Sequence, residues 1–288
     1  MTPTTALSTL SSRLTLLTLL ALLAFAGNSL LCRYALLHTS IGPAAFTGVR
    51  ILSGAATLWL IVRVRAADRP PTGDWLGALA LFVYAAAFSF AYVGLAAGPG
   101  ALLLFGAVQV TMLGHGLWAG ERLRATQWAG LLLALAGLVA LMLPGLEAPA
   151  PASAALMLLA GVAWGVYSLR GRSGGDPLRG TAGNFMRAVP LALGLWLMAP
   201  HSALDGASLA GWASGIASGA LTSGVGYALW YAALPGLSST RAAAVQLSVP
   251  VITAFGGVLL LGETVTPRML LASAAILGGV AAVLRGKA

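Results

Sequence analysis

Ten apolar stretches of roughly 20 residues follow one another along this chain, and that succession limits what it can fold into. They fall near 14–36, 44–64, 75–97, 101–119, 125–143, 153–171, 182–199, 209–233, 243–261 and 268–285. A bilayer core of about 30 Å needs about 20 apolar residues as a helix, so each stretch is predicted to span a membrane. Charged residues make up only 8% of the chain, against about 25% in a soluble domain, too few to present a water-facing surface. Ten helices and little else are expected.

The stretches are not independent. Ala101 to Leu141 recurs as Ala243 to Val283, shifted by 142 positions without a gap. Gly114 falls on Gly256, Gly120–Glu121 on Gly262–Glu263, and Gly137 on Gly279. Arg50 and Trp59 match Arg187 and Trp196 at a shift of 137, a drift that loop insertions would give. Self-similarity in an apolar chain marks a fold made by duplication. The halves are predicted to be 1–146 and 147–288, together one membrane domain, with the Pro- and Ala-rich stretch Pro144 to Pro151 at the boundary. Five spans per half is an odd number, so the copies must point in opposite directions across the membrane. The expected fold class is therefore an all-α polytopic membrane protein of ten transmembrane helices in two inverted five-helix repeats, the architecture of alternating access.

The net charge of +9 orients the chain rather than naming a partner. With the N-terminus in the cytoplasm, twelve basic residues fall on that side, among them Arg63, Arg65, Arg170 and Arg179. Only Arg33 and Arg268 fall near the other, the asymmetry of the positive-inside rule. Both termini are expected in the cytoplasm, the address a bacterial inner membrane, and nucleic acid is not expected as a partner. The first apolar run continues through Asn28 to Tyr34 with no small-residue cleavage site, which favours an uncleaved first helix. A single cysteine, Cys32, excludes an internal disulfide and reads as an apolar packing residue.

The five-helix halves, the Gly–Glu turn before a Gly-rich last helix, and the motifs AFAGNSLLCR and AWGVYSLRGR resemble the EamA type of the drug/metabolite transporter superfamily. The likeness covers essentially the whole chain. Tyr84 and the segment GYALWYAAL from Gly226 to Leu234 also look like the bacterial YddG-type exporters of aromatic and other amino acids. The resemblance implies a secondary transporter that exports amino acids through a central cavity by alternating access. Export of drugs or other metabolites by proton antiport is the alternative. Where the twin helix has Pro250, the fourth has Val108.

A midplane cavity should use helix faces that break the apolar pattern. Tyr84, Phe88 and Tyr92 recur at i, i+4 and i+8, one face of the third helix. Tyr227 and Tyr231 share a face of the eighth with Trp230 beside them, and Trp164 and Tyr167 are three apart in the sixth. Gln109 and Gln246 are rare midspan amides. Aromatic rings with polar tips suit an amphipathic solute, and amides can meet an ammonium or a carboxylate. The substrate-binding candidates are therefore Tyr84, Phe88, Tyr92, Gln109, Trp164, Tyr167, Tyr227, Trp230 and Gln246. Helix packing and interfacial belts are the competing roles for such aromatics. Pro250 lacks an N–H and is expected to loosen the ninth helix near its middle.

Intramembrane charge is functional by default. The topology suggests cross-half pairs as gates, Arg50 with Glu263 at the outer mouth and Arg187 with Glu121 at the inner one. Snorkelling to headgroups or bonding to backbone carbonyls, and direct contact with a substrate carboxylate, are the alternatives for the arginines. No acid lies at a span's centre, and His115 is expected to pack near the inner end of the fourth helix. The small-xxx-small pairs Gly94/Gly98, Gly116/Gly120 and Gly161/Gly165 and the run Gly211/Gly215/Gly219 are expected at helix contacts. An enzyme would need a nucleophile–base pair or metal-ligand spacing. His38, His115 and His201 are scattered, so no enzymatic activity, metal or cofactor is expected. The expected partners are a small-molecule substrate and the lipid bilayer, and a monomer is compatible with the chain.

Overall fold

The computed structural model describes residues 3–65, 69–120, 124–143, 149–171, 175–199, 208–237, 242 and 245–285. The described residues are helical in long runs: α1 Pro3–His38, α2 Pro43–Arg65, α3 Trp75–Gly94, α4 Ala97–Trp118 and α5 Ala125–Met142. Beyond the boundary come α6 Pro151–Arg170, α7 Pro177–Leu197, α8 Leu209–Ala217, α9 Gly226–Ala233, α10 Ser248–Leu261 and α11 Pro267–Arg285. A π-helical stretch, Ser218–Val225, joins α8 to α9 without a break, so the three form one span. Among the described residues, five helices are long and apolar enough to cross a membrane, namely α2, α3, α4, α6 and the Ser12–His38 part of α1.

Local chemistry sets the ends. Asp74 caps α3 by accepting the Gly77 N–H at 2.9 Å. Asp176 caps α7 through the Leu178 N–H at 3.0 Å, with Pro177 in the first turn, where its missing N–H costs nothing. Gly120 after α4 and Gly262 after α10 both have positive φ, 89° and 66°. These twin glycines take the left-handed conformation that ends a helix, which other L-residues adopt only with strain. At the second of them the Glu263 N–H turns back to the Gly257 carbonyl at 3.0 Å, which brings the Glu263 side chain against the bundle.

The core is built by pairs of helices: α5 lies along α11, α2 along α7, α3 along α6, and α1 along the α8–α9 span. Large apolar side chains that remain exposed, including Leu60, Leu133, Phe255 and Leu271, lie on the outside of the bundle, where lipid would meet them. Gly161 and Gly165 face α4, and Gly211, Gly215 and Gly219 face α2 or the turn before it, as the small-residue spacing predicts. Gly120 does not, because its role is the left-handed turn and an added Cβ would meet nothing within 4 Å. His115 is exposed beside Trp118 rather than packed inside. Residues 242, 245 and 246 are already helical and the chain turns at Leu247, so Pro250, in the first turn of α10, lies three residues after an interruption within the ninth span.

Candidate functional site

At the centre of the bundle, Tyr84 on α3 is the meeting point of three elements. Its hydroxyl oxygen accepts Arg50 Nη2 of α2 at 3.0 Å and Asn28 Nδ2 of α1 at 3.3 Å. Asn28 Oδ1 in turn accepts the Ser218 hydroxyl at 2.8 Å and the Thr222 hydroxyl at 3.4 Å, both from the π-helical stretch. Such widened turns recur at functional positions. Here the π stretch lies close to α2, because a Cβ on Gly219 would collide with the Arg50 carbonyl and the Ser53 hydroxyl. Asn28, Arg50, Tyr84, Ser218 and Thr222 are all buried.

Arg50 is the largest fully buried side chain of the described residues, at 1% exposure. Its guanidinium lies 5.0 Å from the Tyr84 ring centre and 4.9 Å from that of Phe88, a cation held between two π faces. Among the described residues Nε and Nη1 have no hydrogen-bond partner. Around it stands an aromatic wall. Tyr84 packs on Trp164 at 4.8 Å, Trp164 stacks on Tyr227 at 5.5 Å and on Tyr167 at 5.3 Å, and Phe25 bridges Tyr227 to Trp230. The wall continues toward one end of the bundle through Thr181, whose hydroxyl lies 3.0 Å from those of both Tyr167 and Tyr231. There Tyr231 lines a small cavity of about 140 Å³ together with Arg65, Asp176 and Arg179.

Both ends carry polar ties. At one, Glu263 pairs with Arg33 Nε of α1 at 3.2 Å and accepts the Ala97 N–H at the start of α4 at 2.8 Å. Arg33 also donates to the Tyr92 carbonyl at 2.9 Å. At the other, Asp74 pairs with Arg170 at 3.0 Å, and its N–H donates to the Asn184 side-chain oxygen at 2.9 Å. Arg179 and Arg187 donate to the Pro70 and Thr72 carbonyls at 2.7 and 2.8 Å. The Gly77 N–H, helped by Arg170, holds the Asp74 carboxyl below the usual carboxylate range.

The candidates from the sequence divide accordingly. Tyr84, Phe88, Trp164, Tyr167, Tyr227 and Trp230 form one contiguous aromatic body. Tyr92 stands edge-on to Phe88 and its hydroxyl lies 3.4 Å from the Ala97 carbonyl, nearer the Glu263 end. Gln109 is buried on α4, and no hydrogen bond among the described residues joins it to the centre. Gln246 is half-buried just ahead of α10. The predicted pair of Arg50 with Glu263 is replaced by Arg33 with Glu263, because Arg50 turns inward to Tyr84 while Arg33 lies level with the α10 end. Arg187 bonds backbone carbonyls, Thr72 at 2.8 Å and Gly183 at 3.1 Å, and its proposed partner Glu121 lies outside the described residues. Sequence reasoning missed Asn28, Ser218 and Thr222. Asn28 could have been found as a third polar amide within a span, whereas serine and threonine are too common in membrane helices to stand out.

An all-helical bundle with an apolar exterior and a sealed polar centre is a multi-pass membrane protein, and comparison with known proteins places it further. The EamA-like transporter family matches residues 152–285. An uncharacterized protein of Pseudomonas aeruginosa is 57% identical over 264 residues, 91% of either chain. A solved structure, described only as the crystal structure of a protein, shares the fold at TM-score 0.66 and 22% identity, covering 94% of this chain and 97% of that one. The chain belongs to the EamA-like transporter family. Its function is accordingly the passage of small solutes across a membrane.

Proposed function

We propose that this transporter exports amino acids, aromatic ones among them, by alternating access through the centre built on Tyr84. The observation that carries the reading is the combination of a flat aromatic wall with a buried set of donors and acceptors. Trp164, Tyr227 and Phe25 offer ring faces to an apolar side chain, while Asn28, Ser218 and Arg50 offer hydrogen bonds to polar ends. The pairing of α5 with α11, α2 with α7 and α4 with α10 joins spans five apart in order, which is what two inverted halves, 1–146 and 147–288, would produce. Polar ties at both ends supply what a two-ended gate needs. Arg65, Arg170 and Arg179 gather at the Asp74 end, which supports placing that end in the cytoplasm of a bacterial inner membrane.

Purified protein in proteoliposomes, loaded with labelled phenylalanine or threonine or with an organic cation, tests this. Amino acid flux without a pH gradient, lost in Trp164→Ala, is the expected result. Flux of the cation alone, driven by a proton gradient, would reject the reading and favour a drug antiporter.

A further inference from the structure

Arg50 is a cation without a counter-ion among the described residues. Guanidinium stays protonated at any physiological pH, and taking a charge out of water costs several kcal/mol unless it is paired. Yet among the described residues the one hydrogen bond the group makes is to a neutral phenol, and Nε and Nη1 have none. Of the described acids, Glu263 is bound to Arg33, Asp74 to Arg170, and Asp176 caps α7. The acids at 68, 121, 147 and 205 lie outside the described residues. The π faces of Tyr84 and Phe88 offset part of the charge but accept no hydrogen bond in the plane of the guanidinium. Tyr84 has the complementary surplus. Its oxygen already accepts from Arg50 and Asn28, so its own proton remains to be donated.

We infer that Arg50 receives the carboxylate of the transported solute, with the Tyr84 hydroxyl as a second donor, and that this contact selects carboxylate-bearing cargo. The inference rests on reading this centre as the solute site. A carboxylate is acceptor-only when ionised and can take bonds from several donors at once. It would satisfy the idle guanidinium nitrogens and neutralise the buried charge in one step. The aromatic wall from Trp164 to Tyr227 then lies beside the bound group and receives its apolar part.

The test compares L-phenylalanine, L-phenylalaninamide, 3-phenylpropionate, phenethylamine and chloride as ligands of the purified full-length protein, read by thermal shift and by competition for labelled phenylalanine. The two carboxylates are expected to bind at least about tenfold more tightly than the amide and the amine, the factor that about 1.4 kcal/mol gives. In Arg50→Gln that preference should fall below about twofold, while Arg50→Lys should retain it with weaker binding. Should Arg50→Gln fail to fold, the wild-type panel still decides, because it compares ligands on one protein. Equal binding of acid and amide, a preference that persists in Arg50→Gln, or protection by chloride alone would overturn the inference. Phenylpropionate bound but phenylalanine ignored would keep Arg50 as a carboxylate site and reject amino acid export. Phenylalanine transport with an unchanged preference in Arg50→Gln would keep export and reject the role of Arg50.

Discussion

Glu263 is held from two directions, by a guanidinium from α1 and by the first N–H of α4, and each contact has a separate cause. The left-handed turn at Gly262 brings the carboxylate against the bundle, and the free N–H groups at a helix start favour a negative charge there. Replacing the charge while keeping the shape, Glu263→Gln, should weaken this tie and let that end open more often. The lone Cys32, fully buried one residue before Arg33, is a native reporter. Its labelling by a small maleimide should rise about tenfold in the variant, corresponding to about 1.4 kcal/mol; unchanged labelling would mean that Glu263 does not hold that end shut. The sequence made the importance of Glu263 legible through its repeated Gly–Glu turn. It did not reveal the partner, because depth along a helix can be read from spacing but rotation toward a neighbour depends on packing. Arg50 and Arg33 were both available to Glu263 by depth, and their rotations decided between them.

Among the elements, the span 209–233 was legible as one apolar stretch, and its ends match α8 and α9. Its middle was not. Nothing in SGALTSGV distinguishes a π-helical stretch from an α-helix, since the wider turn is imposed by what it packs against. Gly219 is the point of closest approach, where the backbone of the π stretch meets α2 at the Arg50 carbonyl. Gly219→Ala should therefore cost about 1–3 kcal/mol by overpacking, seen as a lower midpoint of thermal unfolding in detergent. Gly114→Ala is the comparison, because a Cβ there meets nothing within 4 Å. Equal effects of the two substitutions would show that the close approach does not govern stability. The aromatic face of α3 was readable from its four-residue spacing, and so was the Trp164–Tyr167 pair. Their joining into one body across α1, α3, α6 and α9 was not, because it depends on which helices become neighbours.

Across the whole molecule, the Asp74 end answers to pH. The Asp74 carboxyl is depressed, so its contribution is present above the ordinary carboxylate value of about 3.9 and is lost as pH falls through the lower folded value. Acidification through that window should release the Asp74–Arg170 tie and lower the hydrogen-exchange protection of the first turn of α3, measured against the intrinsic rate at the same pH. Asp74→Asn, which can still cap the helix, should remove the pH dependence, and a dependence that survives would assign it elsewhere. Ten spans and their duplication were visible in the sequence because hydropathy and offset are properties of the chain alone. How the ends are tied was not visible, because those bonds join residues more than 90 positions apart. The arginines at 50 and 187 occupy matching places in the duplicated sequence, yet among the described residues only Arg187 bonds backbone carbonyls. In one half the chain supplies the acceptor itself; in the other, on the inference drawn above, the place is left to a visitor. The cargo would then be a temporary part of the architecture, completing at each crossing a bond that the polypeptide makes permanently in its other half.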